Sequence, residues 1–152
     1  LCYDNKDEDI YKGLAETYMP ARFEKMQENP LVIVDGAHNP EAISKLVKEI
    51  EKMGFYKDIH IVFAAFEDKN VITMLPTLSS LTNDICLTYF DHPRTRTEED
   101  YFLFLDEYKF DKNHKSVIKN LIATYPNDVI LITGSLAFAG TVRKEFKDGQ
   151  YK

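Results

Sequence analysis

Leu31-Val32-Ile33-Val34-Asp35-Gly36-Ala37-His38-Asn39-Pro40 decides the fold. The first four residues form an unbroken apolar run, the pattern of a strand buried on both faces. Gly36 permits a tight turn, Asn39 suits a helix N-cap, and Pro40 suits the first helical position. From there Ala42, Ile43, Leu46, Val47, Ile50 and Met53 recur at helical spacing. They predict a helix over 40–53 that Gly54 stops.

The same cycle continues downstream. Ile59 to Ala65 predicts a second buried strand, and Asn70 to Leu81 a helix interrupted or kinked at Pro76. Asp84 to Phe90 predicts a third strand. Thr97-Glu98-Glu99-Asp100 predicts a helix start, with Thr97 as N-cap and three acids where the helix dipole favours them. Ser116 to Tyr125 reads as a helix, Val129 to Thr133 as a strand, and Leu136 to about Phe146 as a closing helix. Upstream, Glu8 to Tyr18 predicts a short helix that ends at Met19-Pro20. Residues 1–10 read as a frayed linker remnant, and residues 11–152 as one domain. Strands alternating with helices predict an α/β, Rossmann-like three-layer domain with a mostly parallel sheet. Ligands of such sheets bind beyond the carboxyl ends of the strands. That places 35–39, 65–70, 91–96 and 134–135 at the ligand side.

The chain has 152 residues, the size of one ordinary domain, and needs no metal or disulfide staple. Its first residue is Leu, so it reads as a piece of something longer. With 44% hydrophobic and 29% charged residues it is not a disordered chain. No run approaches the ~20 apolar residues of a membrane helix. A net charge of −6 argues against general nucleic-acid binding. Cys2 and Cys86 lie far apart and read as free thiols of a cytoplasmic protein. His38, His60, His92 and His114 are scattered without ligand spacing, so no metal site is expected in this domain.

Asp35 and His38 flank a turn that feeds a helix N-terminus, which favours anions. Asp35 can accept from a ribose hydroxyl or an amine. His38 can donate to a phosphate or carboxylate, or move a proton. The same residues also suit a capped turn in which both only tie the loop together. Ser135, in Gly134-Ser135, can be a plain N-cap or can offer its hydroxyl and N–H to an anion. Arg22, in Pro20-Ala21-Arg22-Phe23, suits stacking or bidentate contacts, or a surface ion pair with Glu24. Arg94 and Arg96 can hold a substrate carboxylate or face the acids at 98–100. Lys69, in Glu67-Asp68-Lys69, belongs to an exposed turn or approaches phosphates. There is no GxxxxGK[ST], GxGxxG or GxSxG, so any triphosphate must be held chiefly by another element.

Met19-Pro20-Ala21-Arg22-Phe23-Glu24, the 31–40 segment, Phe63-Ala64-Ala65-Phe66-Glu67-Asp68-Lys69-Asn70, His92-Pro93-Arg94 and Ile132-Thr133-Gly134-Ser135-Leu136 occur in that order. Together they resemble the C-terminal domain of the folylpolyglutamate synthase and dihydrofolate synthase family, in the Mur ligase superfamily. The resemblance runs from about residue 11 to the end. Met19, Ala21, Ala64, Asn70 and Ala137 depart from the residues common in that family: Trp, Gly, Gly, Asp and an aromatic, respectively.

The resemblance implies an ATP-dependent ligase that adds L-glutamate to a folate through an acyl phosphate. It implies ATP and Mg²⁺, with Mg²⁺ held mainly by a P-loop domain that this chain lacks. The partners would be ATP, folate, glutamate and that P-loop domain. Arg22 and Asp35 would contact the nucleotide, and His38 would stand near phosphate and glutamate. Ser135 and Arg94 would lie on the glutamate side, and the isolated domain would be inactive. Another Mur-type amide ligase and a non-catalytic Rossmann-like binding module are the alternative readings.

Overall fold

The computed structural model describes residues 21–54 and 57–152. The expected helix over 8–18, its end at Met19-Pro20 and the linker at 1–10 lie outside the described residues.

Six strands form one sheet: β1 (Glu24–Gln27), β2 (Leu31–Val34), β3 (Ile59–Phe63), β4 (Ile85–Thr88), β5 (Lys109–Asp111) and β6 (Val129–Thr133). The order is β1-β2-β6-β3-β4-β5. Five strands run parallel, and β1 closes one edge antiparallel to β2. The helices are α1 (Pro40–Lys52), α2 (Val71–Ser79), α3 (His114–Thr124) and α4 (Leu136–Lys147), with a 3₁₀ helix over Glu99–Phe104.

Alternation along each strand splits the core into two layers, because successive side chains point to opposite faces. Ile33, Ile61, Phe63, Leu87 and Leu131 pack under α1 and α2. Val32, Val34, Val62, Ile130 and Ile132 pack under α3 and α4. The three-layer α/β expectation holds. Each fully buried aliphatic side chain contributes about 1.5–3 kcal/mol, so the central strands β2, β3 and β6 carry much of the stability.

The local signals around α1 act as expected. The Asn39 side chain accepts from the Ala42 N–H, and Pro40 opens the helix. Gly54 follows its end at φ +61°. Met53 is half out of the core rather than on the buried stripe. Pro76 lies inside α2, and the helix continues through it. The carbonyl it leaves without a helical donor belongs to Ile72, which is 68% exposed and open to water.

Three elements differ from the sequence expectation. β1 and β5 were not anticipated. The segment after Thr97 is a 3₁₀ helix, and Thr97 does not cap it: the Asp100 carboxylate instead accepts from the Thr97 N–H and hydroxyl. The Arg96 guanidinium also donates to the Asp100 carbonyl at 2.9 Å. Among the described residues no helix is long and apolar enough to cross a membrane.

At the amino ends of the parallel strands a polar cluster surrounds the buried His60. His60 Nδ1 meets Asp84 at 2.5 Å, and Nε2 meets Asp128 at 2.9 Å. The ring stacks on Tyr125 at 3.9 Å between centroids, and Lys109 pairs with Asp84 at 2.8 Å. Two carboxylates facing both ring nitrogens favour the imidazolium, which has two donors. Burial pushes the His60 pKa down, but the hydrogen bonds its ring donates to Asp128 and Asp84 outweigh it and hold the pKa above its ordinary 6.5. A raised folded-state pKa gives stability that is complete below 6.5 and is lost as pH rises through the folded value. Burial raises the Asp84 pKa, yet Lys109 and His60 hold it below the ordinary 3.8, so its contribution is lost only in acid. Unfolding should therefore become easier as pH rises above about 6.5. A His60→Gln variant should lose that part of the slope. Parallel stability–pH curves for the two proteins would remove His60 as its source.

Candidate functional site at the carboxyl ends of the strands

The turns after β2, β3, β4 and β6 gather at one rim. Main-chain hydrogen bonds fix them to each other: Asp35 N–H to Ile132 O, Gly36 N–H to Ala21 O, Ala64 N–H to Thr133 O, and Gly134 N–H to Ala37 O. The segments at 35–39, 65–70, 91–96 and 134–135 do converge, as the strand order requires.

Asp35 is nearly buried, and its two oxygens accept from the Phe23 N–H at 2.9 Å and the Ala37 N–H at 2.8 Å. Burial raises its pKa, and the two N–H donors together with Arg22 and His38 oppose that rise. Its first task is thus to tie the segment before β1 to the β2 turn, the structural one of its two readings. That segment carries Ala21 at φ +62° and Phe23 at φ +48°, both in the left-handed region that side chains disfavour. The Asp35 bonds and the Gly36–Ala21 bond hold the chain there.

Arg22 is exposed on the same loop. The alternative ion pair with Glu24 does not form: Glu24 accepts from Arg143 Nε at 2.8 Å and from the Ala21 N–H. Arg22 lines an open cleft of about 840 Å³ together with Asp35, His38, Lys45, Lys48 and Leu136.

His38 lies between this cleft and a smaller cavity, lining both. Its Nδ1 lies 2.9 Å from the Gly36 carbonyl oxygen. A carbonyl can only accept, so Nδ1 carries a proton, and whenever the ring is neutral the lone pair is on Nε2. The turn therefore fixes both the tautomer and the ring orientation. In that tautomer Nε2 can accept a proton, and once protonated it can donate to an anion.

The smaller cavity, about 190 Å³, is lined by His38, Phe66, Lys69, Arg94, Gly134, Ser135, Leu136 and Ala137. Ser135 is buried, and its Oγ accepts from the Phe138 N–H at 3.2 Å, so it caps α4 and also faces the cavity. Gly134 above it has φ +115°, and a Cβ there would stand 2.5 Å from the Ala64 oxygen. Arg94 lies 4.6 Å over the Phe66 ring and 3.4 Å from both Asp68 oxygens. Phe66 in turn stacks on His92 at 4.6 Å. Arg94 faces Asp68 rather than the acids at 98–100.

Arg96 does not reach the cavity, unlike the sequence expectation for a pair of arginines. Its guanidinium is turned inward onto the carbonyls of Glu67, Lys69 and Asp100. Phe66 was missed as the platform under Arg94. An aromatic directly after a strand on the ligand side is the signal that would have found it. Among the described residues no group of three or more His, Cys, Asp or Glu could hold a metal.

Residues 21–136 match the family described as Mur ligase, glutamate ligase domain. Over 144 residues the chain is 33% identical to the dihydrofolate synthase/folylpolyglutamate synthase of Bacillus subtilis, covering 93% of this chain and 34% of that protein. It is 30% identical over 144 residues to the folylpolyglutamate synthase of Lacticaseibacillus casei, covering 94% and 33%. The Mycobacterium tuberculosis folylpolyglutamate synthase complexed with ADP and AMPPCP superposes with TM-score 0.77 at 25% identity, over 94% of this chain and 36% of that one. A bifunctional Yersinia pestis enzyme complexed with AMPPNP and Mn ion shares the fold, with TM-score 0.78 at 23% identity over 96% and 36%. The chain spans about a third of the length of the curated relatives it matches.

Proposed function

The chain belongs to the Mur ligase family, as its glutamate ligase domain, and from that premise we propose that it is the amino-acid-binding domain of a folate–glutamate ligase. The observation that carries this reading is the smaller cavity. It places two cations, Lys69 and Arg94, and a helix-capping Ser135 beside the free Nε2 of His38. A small amino acid with two carboxylates needs such a set: cations for the carboxylates and a proton acceptor for the amine.

The larger cleft suits a nucleotide. Arg22 can stack on or pair with it, and the Asp35 lone pairs left over from Phe23 and Ala37 remain available. We further propose that residues 11–152 form the C-terminal domain of a cytoplasmic protein, with 1–10 the end of a linker. A P-loop domain would precede it and hold ATP and Mg²⁺, which neutralises charge on the transferring phosphoryl group. The lengths of the relatives support this arrangement.

In the reaction, a folate carboxylate oxygen attacks the γ-phosphorus of ATP, giving an acyl phosphate and ADP. The glutamate amine then attacks the acyl carbon, the C–O bond to phosphate breaks, and an amide forms. The amine must lose a proton, and His38 Nε2 is the acceptor we assign to it. Arg94 and Lys69 orient the glutamate carboxylates, and closure of the two domains keeps water from the acyl phosphate.

The test is a glutamate-addition assay on the full-length protein with ATP, Mg²⁺, a reduced folate and labelled L-glutamate. Equal amounts of ADP, phosphate and glutamylated folate are expected. Turnover with another amino acid and none with glutamate would leave a ligase of different specificity. No ATP-dependent amide formation with any amino acid would leave the binding-module reading.

A further inference from the structure

The 66–70 turn and the 91–96 loop come from different strand ends, and each supplies one cation to the smaller cavity. Two exposed loops of this kind ordinarily move relative to one another. Here they are joined by a short antiparallel bridge, Phe66 to Thr95. The Glu67 N–H donates to the Arg94 carbonyl, and the Arg96 N–H donates to the Ala65 carbonyl, both at 2.9 Å.

The Arg96 side chain completes the joint. Nη2 donates to Glu67 O at 3.1 Å and to Lys69 O at 3.0 Å, and Nη1 donates to Asp100 O at 2.9 Å. The guanidinium carbon lies 5.7 Å from the centroid of the buried Tyr101 ring. Tyr101 reaches the same strand end through the Ala65 N–H, which donates to its hydroxyl. A planar fork with five donors can bridge three carbonyls at once; an ammonium cannot hold that spread. Arg96 Nε is buried without a partner, a cost that the three charge-assisted bonds outweigh.

We propose that Arg96 is a positioning residue for the incoming amino acid: it fastens the 66–70 turn to the 91–96 loop and so sets Lys69 and Arg94 at a fixed spacing on the cavity wall. The assignment rests on the reading of this cavity as the amino-acid side. Arg96 touches no substrate. It acts through the carbonyl of Lys69 and through the loop that carries Arg94. Sequence position alone makes Arg94 and Arg96 look equivalent, and the structure gives them opposite directions.

The test uses the full-length enzyme with Arg96→Gln, Arg96→Lys, Arg94→Gln and the Arg94→Gln/Arg96→Gln pair. Amide exchange at Glu67 reports the joint. It should accelerate about tenfold or more in Arg96→Gln and less in Arg96→Lys. The KM for L-glutamate should rise about tenfold in Arg96→Gln, a loss typical of small misplacement of a binding group. Its kcat should stay within about threefold. The double variant should resemble Arg94→Gln alone, because the effect passes through Arg94. If Arg96→Gln does not fold, Arg96→Lys must show the same split at smaller size. Unchanged Glu67 exchange overturns the proposal, as does an unchanged KM beside faster exchange or a double-variant KM equal to the product of the single effects. A wild-type enzyme that adds no glutamate overturns the substrate reading, and this assignment with it, before any variant is compared. An active wild type with Arg96 variants of unchanged KM overturns this assignment alone.

Discussion

On the proposed ligase reading, His38→Ala in the full-length protein should lower kcat about 10²- to 10⁴-fold, the usual contribution of a positioned proton acceptor. Folding should be nearly unaffected. The ring lies on the surface of a turn, half-buried, and its one described hydrogen bond stays within that turn, to the Gly36 carbonyl. Losing such a bond costs about 1 kcal/mol. The β2 turn is held instead by Asp35, whose bonds to Phe23 and Ala37 the substitution leaves intact. A kcat loss with KM for glutamate nearly unchanged would mean that His38 acts in the step where the amine loses its proton. A KM rise with kcat unchanged would instead make His38 an anion binder. Unchanged turnover would remove it from the reaction.

The difference between Asp35 and His38 shows what sequence can and cannot specify. Both are polar residues at a strand end, and sequence offers both as functional or as structural. Asp35 points inward, where the N–H groups of Phe23 and Ala37 donate to its two oxygens. One of those donors lies twelve residues away, so sequence pattern cannot reveal it. His38 keeps one nitrogen free because its other nitrogen finds a carbonyl two residues back. The central strands and their helices were legible, since long apolar runs and caps such as Asn39 are local signals. β1 and β5 were not: Glu-Lys-Met-Gln and Lys-Phe-Asp are too short and too polar to show a period of two. Their pairing comes from the neighbouring strand. The segment after Thr97 carried all the marks of an α-helix start, yet the Asp100 carboxylate folds back on the Thr97 N–H and hydroxyl and the segment forms a 3₁₀ helix.

The two ends of the sheet divide their work. The amino ends carry a satisfied ionic cluster around His60, closed by Asp84, Asp128 and Lys109. The carboxyl ends carry the exposed Arg22, the His38 imidazole, and Lys69 and Arg94, which share the single exposed carboxylate of Asp68. Unsatisfied groups at a surface are what a charged ligand can exploit, and satisfied ones are not. Changes at the amino ends should therefore alter stability and its pH dependence, while changes at the carboxyl ends should alter turnover first.

Gly134 is the exception to that division, and its replacement should be the most damaging small change in the chain. It sits at the rim, at φ +115°, where side chains are strongly disfavoured. An added Cβ would stand 2.5 Å from the Ala64 carbonyl oxygen and 2.9 Å from the Phe63 ring. The first of these is main chain of a neighbouring central strand end, and the second is a fully buried side chain. Neither can step aside without moving β3 against β6. Strain and overpacking together should cost about 3 kcal/mol or more in Gly134→Ala. At this chain length that lowers Tm by roughly 6–12 °C. Gly54→Ala is the matched control: its φ is +61°, but an added Cβ meets nothing within 4 Å. Only the backbone term remains there, about 1 kcal/mol. The measurement is thermal unfolding of both variants beside the parent. Equal losses in the two would mean that the close approach of β3 and β6 at Gly134 relaxes freely. A much larger loss at Gly134 would mean that the turn bearing Ser135 requires glycine because main chain and an aromatic ring fill the space a side chain would need.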